Sequence, residues 1–246
     1  MGFQYTLAPN EWNTLDYGEF YSTVRSDFPI FQEHDEIAPF AEGNQIMFGG
    51  LPPLRRVWLI KKDSRELLQI QRDRFLYNWR KIQVSDSYPR FENLSQSFKN
   101  YWNSFESYCL DKKKSKPQIQ YVEFTYTNVI DDKNGFDGVL TGLSKITSFI
   151  DFSNLHRGIK GFNLALNLES KSNKQTVIQV VLRDGMNVQT KKHVLYIELK
   201  SVIKLDDKDK AFQWLDQIRL ELRDLFCDLT AAEAHKVWGI KNESMS

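Results

Sequence analysis

The chain has 246 residues, 41% of them hydrophobic and 26% charged, and its 33 basic and 32 acidic side chains nearly cancel to a formal net charge of +1. That length suffices for one large domain or two modest ones with a buried core. The charge balance argues against a chain built mainly to neutralise nucleic-acid phosphates.

Taken in order, Phe3, Tyr5 and Leu7 alternate with Gln4 and Thr6, the period of a half-buried strand, before Pro9 and Asn10 end it. Leu15, Phe20, Val24 and Phe28 then recur at helical intervals from Thr14, and Pro29 stops the run. The stretch from Pro29 to Pro53 is rich in glycine, proline and acids and reads as loop or partly extended arm. A three-stranded meander follows: Leu54 to Ile60, a turn at Lys61–Ser64, Glu66 to Gln71, a tight connection at Arg72-Asp73, and a strand through Phe75, Tyr77 and Trp79. From Phe91 to about Leu110, Phe91, Leu94, Phe98, Trp102, Phe105 and Cys109 form one stripe of a core-facing helix. Lys112 to Lys116 is a charged linker.

The pattern then returns. Ile119 to Val129 reads as a strand, Leu140 to Ile150 as a short helix, and Phe162 to Leu168 as a cleanly alternating strand. Two more strands run from Thr176 to Leu182 and from His193 to Ile203, with Arg183-Asp184-Gly185 as the turn signal between them. A last amphipathic helix runs from Asp209 to Leu229, and Thr230 is placed to cap a further piece, AAEAHKVWG. Each half therefore reads strand, helix, three-stranded meander, long helix, with an Arg-Asp pair at the second meander turn. The expected fold is α+β, in two similar halves at 1–112 and 117–246 or as one continuous domain.

Enzyme signatures are missing from this pattern. Cys109 and Cys227 lie far apart in predicted helices, which indicates neither a disulfide framework nor a zinc site. No glycine-rich phosphate loop occurs, and none of the four histidines pairs by spacing with a serine or cysteine. His34 in QEHDE offers a metal-ligand set on paper, but no regular element holds it, and a solvated acidic loop is the simpler reading. His156-Arg157-Gly158 reads as a turn, and Asn134-Gly135 and Asp137-Gly138 mark turns rather than an ion loop. No cofactor, metal or catalytic residue is expected. The start lacks an apolar signal core and no apolar run reaches bilayer length, so a cytoplasmic protein without membrane partners is expected.

The densest chemistry is LLQIQRDRFLYNWRK, from Leu67 to Lys81. Arg72, Asp73, Arg74, Asn78 and Arg80 are the candidate partner-binding residues. One reading makes them a local ion-pair cluster at a turn, worth little at a surface. A second makes them a protein contact, because Arg, Tyr and Trp dominate contact energy in interfaces. A third adds Lys61, Lys62, Arg55 and Arg56 as phosphate contacts, with Tyr77 or Trp79 stacking on bases. Asp73, Asp86 and Glu92 lie close by in sequence and weigh against that. Arg72, Arg74 and Arg80 are expected on exposed flanks, serving partner contact rather than folding, while alternation puts Trp79 on the face of Phe75 and Tyr77.

Arg56-Val57-Trp58, Leu68 to Phe75, Asn78 to Lys81 and Tyr88 to Glu92 together resemble a sporadically distributed bacterial family of uncharacterised proteins with the pattern LQIQRDRF…NWRK…YPRFE. The resemblance extends through Asp27-Phe28-Pro29, Val122 to Asn128, Phe226 to Thr230, His235 and Trp238-Gly239. It departs at Leu220-Glu221, where a His-Glu pair is expected. It implies a prokaryotic cytoplasmic protein with the patchy distribution of mobile or defence-linked genes, and assigns no chemistry. The expectation is a non-enzymatic protein-binding or scaffold subunit, its partner another protein such as an effector encoded nearby, in a defence or toxin–antitoxin-like setting. The alternative is a nucleic-acid-binding module using the sheet or the Arg-rich hairpin.

Overall fold

The computed structural model describes residues 1–7, 12–37, 55–83, 85–150, 152, 154, 158–174, 176–187 and 190–240. The expected strand end at Pro9-Asn10, most of the connection reaching Pro53, and the turn at His156-Arg157 lie outside the described residues. Among the described residues, α-helices and strands follow in chain order: β1 (Gly2–Thr6), α1 (Thr14–Val24), β2 (Ile30–His34), β3 (Arg56–Ile60), β4 (Glu66–Gln71), β5 (Arg74–Trp79), α2 (Phe91–Lys113), β6 (Gln118–Ile130), α3 (Val139–Ile146), β7 (Asn163–Glu169), β8 (Val177–Met186), β9 (His193–Lys204), α4 (Lys208–Leu229) and α5 (Ala232–Trp238). The fold is α+β with antiparallel strand pairing. The chain forms two compact units, Met1–Val122 with Lys204–Phe212, and Glu123–Ile203 with Gln213–Ser246.

In the first unit the strand order is β2-β3-β4-β5-β1, with the start of β6 beside β1. The β4–β5 hairpin pairs Glu66 with Trp79 through Gln71 with Arg74, and β1 sets Phe3 against Phe75. Because strand side chains alternate, this register puts Phe3, Tyr5, Leu68, Ile70, Phe75 and Tyr77 on one face. The predicted stripe of α2 covers that face. Phe3 meets the Trp102 ring edge-on at 4.9 Å and the Phe98 ring at 4.8 Å, and Phe75 lies 5.5 Å from Trp102. Each such pair contributes about 0.5–1.5 kcal/mol beyond area burial.

Two local expectations change here. The segment Ile30–His34, read as irregular, is strand β2, paired with β3 from Ile30 opposite Ile60 to His34 opposite Arg56. The sequence IFQEH has no strict alternation; the backbone of β3 supplies what its own pattern lacks. Helix α1 ends at Val24 rather than running to Phe28: the Phe28 N–H still bonds the Val24 carbonyl at 3.0 Å, but Pro29 has no N–H for the Arg25 carbonyl and its ring would clash with it. Asn13 and Asp16 close a reciprocal capping box at its start.

In the second unit the order is β6-β9-β8-β7. Ile178, Val180 and Leu182 of β8 and Leu195, Ile197 and Leu199 of β9 share the buried face, with Leu215, Ile218 and Leu222 of α4 buried in the same unit. Arg183-Asp184-Gly185, expected as a turn, lies within β8, paired with Tyr196, Leu195 and Val194. Gly185 is required for space, not for a turn conformation. A Cβ there would stand 2.6 Å from Tyr196 Cε2, in a ring that also carries the Arg183 guanidinium at 5.3 Å. Thr230 does not cap α5 either: its hydroxyl donates to the Phe226 carbonyl at 2.6 Å and meets His235 Nε2 at 2.7 Å.

Candidate functional site

The second face of the first unit's sheet is set by the same register. One rank across it carries His34, Arg56, Gln71, Arg74 and Gln4, and the next carries Gln32, Trp58, Gln69, Leu76 and Gly2. A stripe of amides and cations thus crosses five strands, where the opposite face is aromatic and aliphatic.

Asp73, at the β4–β5 turn, is the hub of the inner part. Its carboxylate accepts from Gln71 Nε2 at 2.7 Å and Gln4 Nε2 at 3.3 Å, and lies 3.9 Å from Arg74 Nε. The Gln71 amide also pairs with the Ile37 backbone, accepting its N–H and donating to its carbonyl, both at 2.9 Å. The chain leaving β2 is thereby fixed over the buried end of this rank. The Glu36 carboxyl is held above the ordinary carboxylate range, by desolvation first and the Asp73 charge second, against Arg72 and Arg74. Burial pushes the Tyr17 hydroxyl up to about 12, with Glu36 and Asp73 adding to it and Arg72 opposing.

Farther out, Arg56 Nη1 donates to Gln69 Oε1 at 2.9 Å, and Gln69 Nε2 donates to Asn78 Oδ1 at 3.1 Å, a relay across β3, β4 and β5. Desolvation lowers the Arg56 pKa, the Arg74 charge adds to this, and Asp35 opposes it. Trp58 is half-buried at the centre. The His34 ring stacks on it at 3.9 Å, and the Arg56 and Arg80 guanidiniums lie 5.5 and 5.8 Å from its centroid. Arg80 is held in place by a 2.7 Å bond from Nε to the Ser64 carbonyl. Such cation–aromatic contacts are each worth about 0.5–2 kcal/mol, more as water is excluded.

The expected residues therefore divide. Arg74, Asn78 and Arg80 share this face, and Arg72 and Asp73 form the turn at its end. Arg74 is not on an exposed flank, however: its side chain is 2% exposed. Alternation from Gln71 and Arg74, directly opposite each other, turns both into the sheet layer rather than out at the hairpin tip. Trp79 does fall on the Phe75–Tyr77 face, half-buried against Tyr88 at 5.1 Å. Trp58 and His34 are the residues that local reading missed as a site. Trp58 carried a signal in the Arg56-Val57-Trp58 motif, but His34 joins it only through β2 pairing.

Among the described residues no cluster of three or more His, Cys, Asp or Glu side chains is placed to hold a metal ion, and no helix is long and apolar enough to cross a membrane. Comparison with protein-family models, curated proteins and solved structures finds no match to this chain.

Proposed function

We propose that this chain is a non-enzymatic protein-binding or scaffold subunit, and that its contact surface is the Trp58 face with Arg56, Asn78 and Arg80. The observation that carries this reading is the half-buried Trp58 ring pre-positioned by His34, Arg56 and Arg80. A rigid indole flanked by guanidiniums loses little conformational entropy on binding and supplies the residue types that dominate interfaces. Arg72 and Asp73 border the surface, and Arg74 supports it from beneath. The fitting partner is a protein segment bearing carboxylates beside an apolar anchor. The family resemblance implies a bacterial cytoplasmic protein with the distribution of mobile or defence-linked genes, a setting that a regulatory subunit of the defence or toxin–antitoxin kind fits.

Affinity purification from the native host tests this, comparing wild type with Trp58→Ala and Arg80→Ala of verified fold. A partner recovered by wild type and lost by both variants is expected; identical partners with all three would overturn the assignment. The Arg56–Trp58–Arg80 arrangement also suits a stacked base between two phosphate contacts, which is the basis of a nucleic-acid reading. That reading requires binding of labelled DNA or RNA at low salt that falls steeply as salt rises.

We also propose that the two halves are versions of one unit. The support is that β1 lies beside the last meander strand, β5, as β6 lies beside β9. Superposition of β1, α1 and β3–α2 on β6, α3 and β7–α4 tests this.

A further inference from the structure

Among the described residues, strand β7 lies at the outer edge of its sheet, with β8 as its neighbour. Asp184 N donates to the Phe162 carbonyl at 3.0 Å, and Ser170 N to the Thr176 carbonyl at 3.1 Å. These two bonds fix the parity of the strand. Its even-numbered residues bond β8, and Asn163, Ala165, Asn167 and Glu169 present their N–H and C=O groups outward.

Natural sheets blunt such an edge with lysine, proline or a bulge. Here the central five residues of the edge, Asn163-Leu164-Ala165-Leu166-Asn167, carry no charge or proline and form a palindrome about Ala165; Glu169 stands only at the strand's end. Its apolar side is also incompletely covered. Phe162, Leu164, Leu166 and Leu168 are only half-buried, although their β8 neighbours Ile178, Val180 and Leu182 are at 2%, 0% and 0% exposure.

We propose that β7 pairs antiparallel with β7 of a second copy of this chain, about a twofold axis through Ala165. Outward-facing Ala165 then bonds its own counterpart, and Asn163 bonds Asn167 of the second copy, so the backbone parity is satisfied throughout. On the apolar side, Leu164 meets Leu166 and Phe162 meets Leu168, completing the layer that one copy leaves half-covered. An isologous contact requires such self-complementarity, and a palindromic strand supplies it. Strand β2, at the edge of the first unit's sheet, has no such symmetry and carries Glu33 and His34.

The test is sedimentation of the full chain over a wide concentration range. Wild type should dimerise. Ala165→Lys sets like charges directly opposite each other and should weaken the dimer by about tenfold or more; Ala165→Glu should do the same. Mixing the two variants should restore a one-to-one dimer, because residue 165 faces itself. The side chain of Ala165 is exposed, so both variants should melt as wild type does at concentrations low enough for wild type to be monomeric. Should either misfold, Ala165→Cys in a Cys227→Ser background gives an independent reading. Cα atoms in such a facing pair lie about 5.5 Å apart, within disulfide reach, so oxidation should yield a covalent dimer. A wild type that stays monomeric, a dimer unaffected by Ala165→Lys, or failure of both charge rescue and crosslinking overturns the proposal.

Discussion

Replacing Arg74 by alanine should destabilise the protein, although the residue sits in a hairpin-proximal, charge-rich stretch. Its side chain is 2% exposed, with Asp73 Oδ2 at 3.9 Å, and Gln71 stands opposite it across the β4–β5 ladder. Removing one member of a buried ion pair costs about 3–5 kcal/mol, mostly because the remaining charge loses its partner. Asp73 is 25% exposed and keeps its bonds from Gln71 and Gln4, so water and amides recover part of that. The expected loss is about 2–3 kcal/mol once the exposed share is discounted. Urea unfolding followed by far-ultraviolet circular dichroism measures it as a lowered midpoint at constant slope. Arg74→Met, which keeps the apolar stem, should recover the packing part but not the charge part. Pairing Arg74→Ala with Asp73→Asn should cost less than the two single penalties added, the mark of direct coupling. Arg72→Ala, at the partly exposed turn, should shift stability by no more than about 0.5 kcal/mol. If Arg74→Ala also stays within that range, the buried cluster is not holding the hairpin and the reasoning fails.

Three further outcomes are expected. Trp79→Ala should cost about 1.5–3 kcal/mol in the same assay, less than the 3–5 of a fully buried ring, because Trp79 is only half-buried against Tyr88. Gly185→Ala should cost about 1–3 kcal/mol, since the new Cβ would stand 2.6 Å from a Tyr196 ring that carries Arg183. Glu221 accepts from Ser170 and Ser172 hydroxyls, both at 2.7 Å, and from the Lys171 N–H at 2.5 Å. Burial raises its pKa, but these bonds outweigh that and hold it below the ordinary glutamate value. As pH falls through the ordinary glutamate range the folded state binds fewer protons than the unfolded one, so stability is lost as pH drops toward the depressed value. Glu221→Gln should be less stable than wild type at neutral pH, with the difference shrinking in acid; a pH-independent difference would refute the role of the carboxylate.

Periodicity alone placed most elements of this chain. The stripe from Phe91 to Cys109 is the buried face of α2, and alternation around Phe75 and Tyr77 is the buried face of β5, because a strand or helix with one apolar side must cover it. The tight connection at Arg72-Asp73 was equally legible from local turn chemistry. What local pattern does not encode is which backbone lies alongside. Strand β2 exists because β3 pairs with it, which is also how His34 reaches Trp58. Arg183-Asp184-Gly185 has the composition of a turn, yet β9 extends past it and makes it strand, with glycine kept for the ring of Tyr196. Arg74 looked like a surface charge because composition reports polarity, not depth; the face it shares with Gln4, Gln71 and Arg56 follows from pairing with β1 and β3, strands distant in sequence. Local energies select helix, strand or turn, whereas register and layer order decide which polar side chains lose water and find each other.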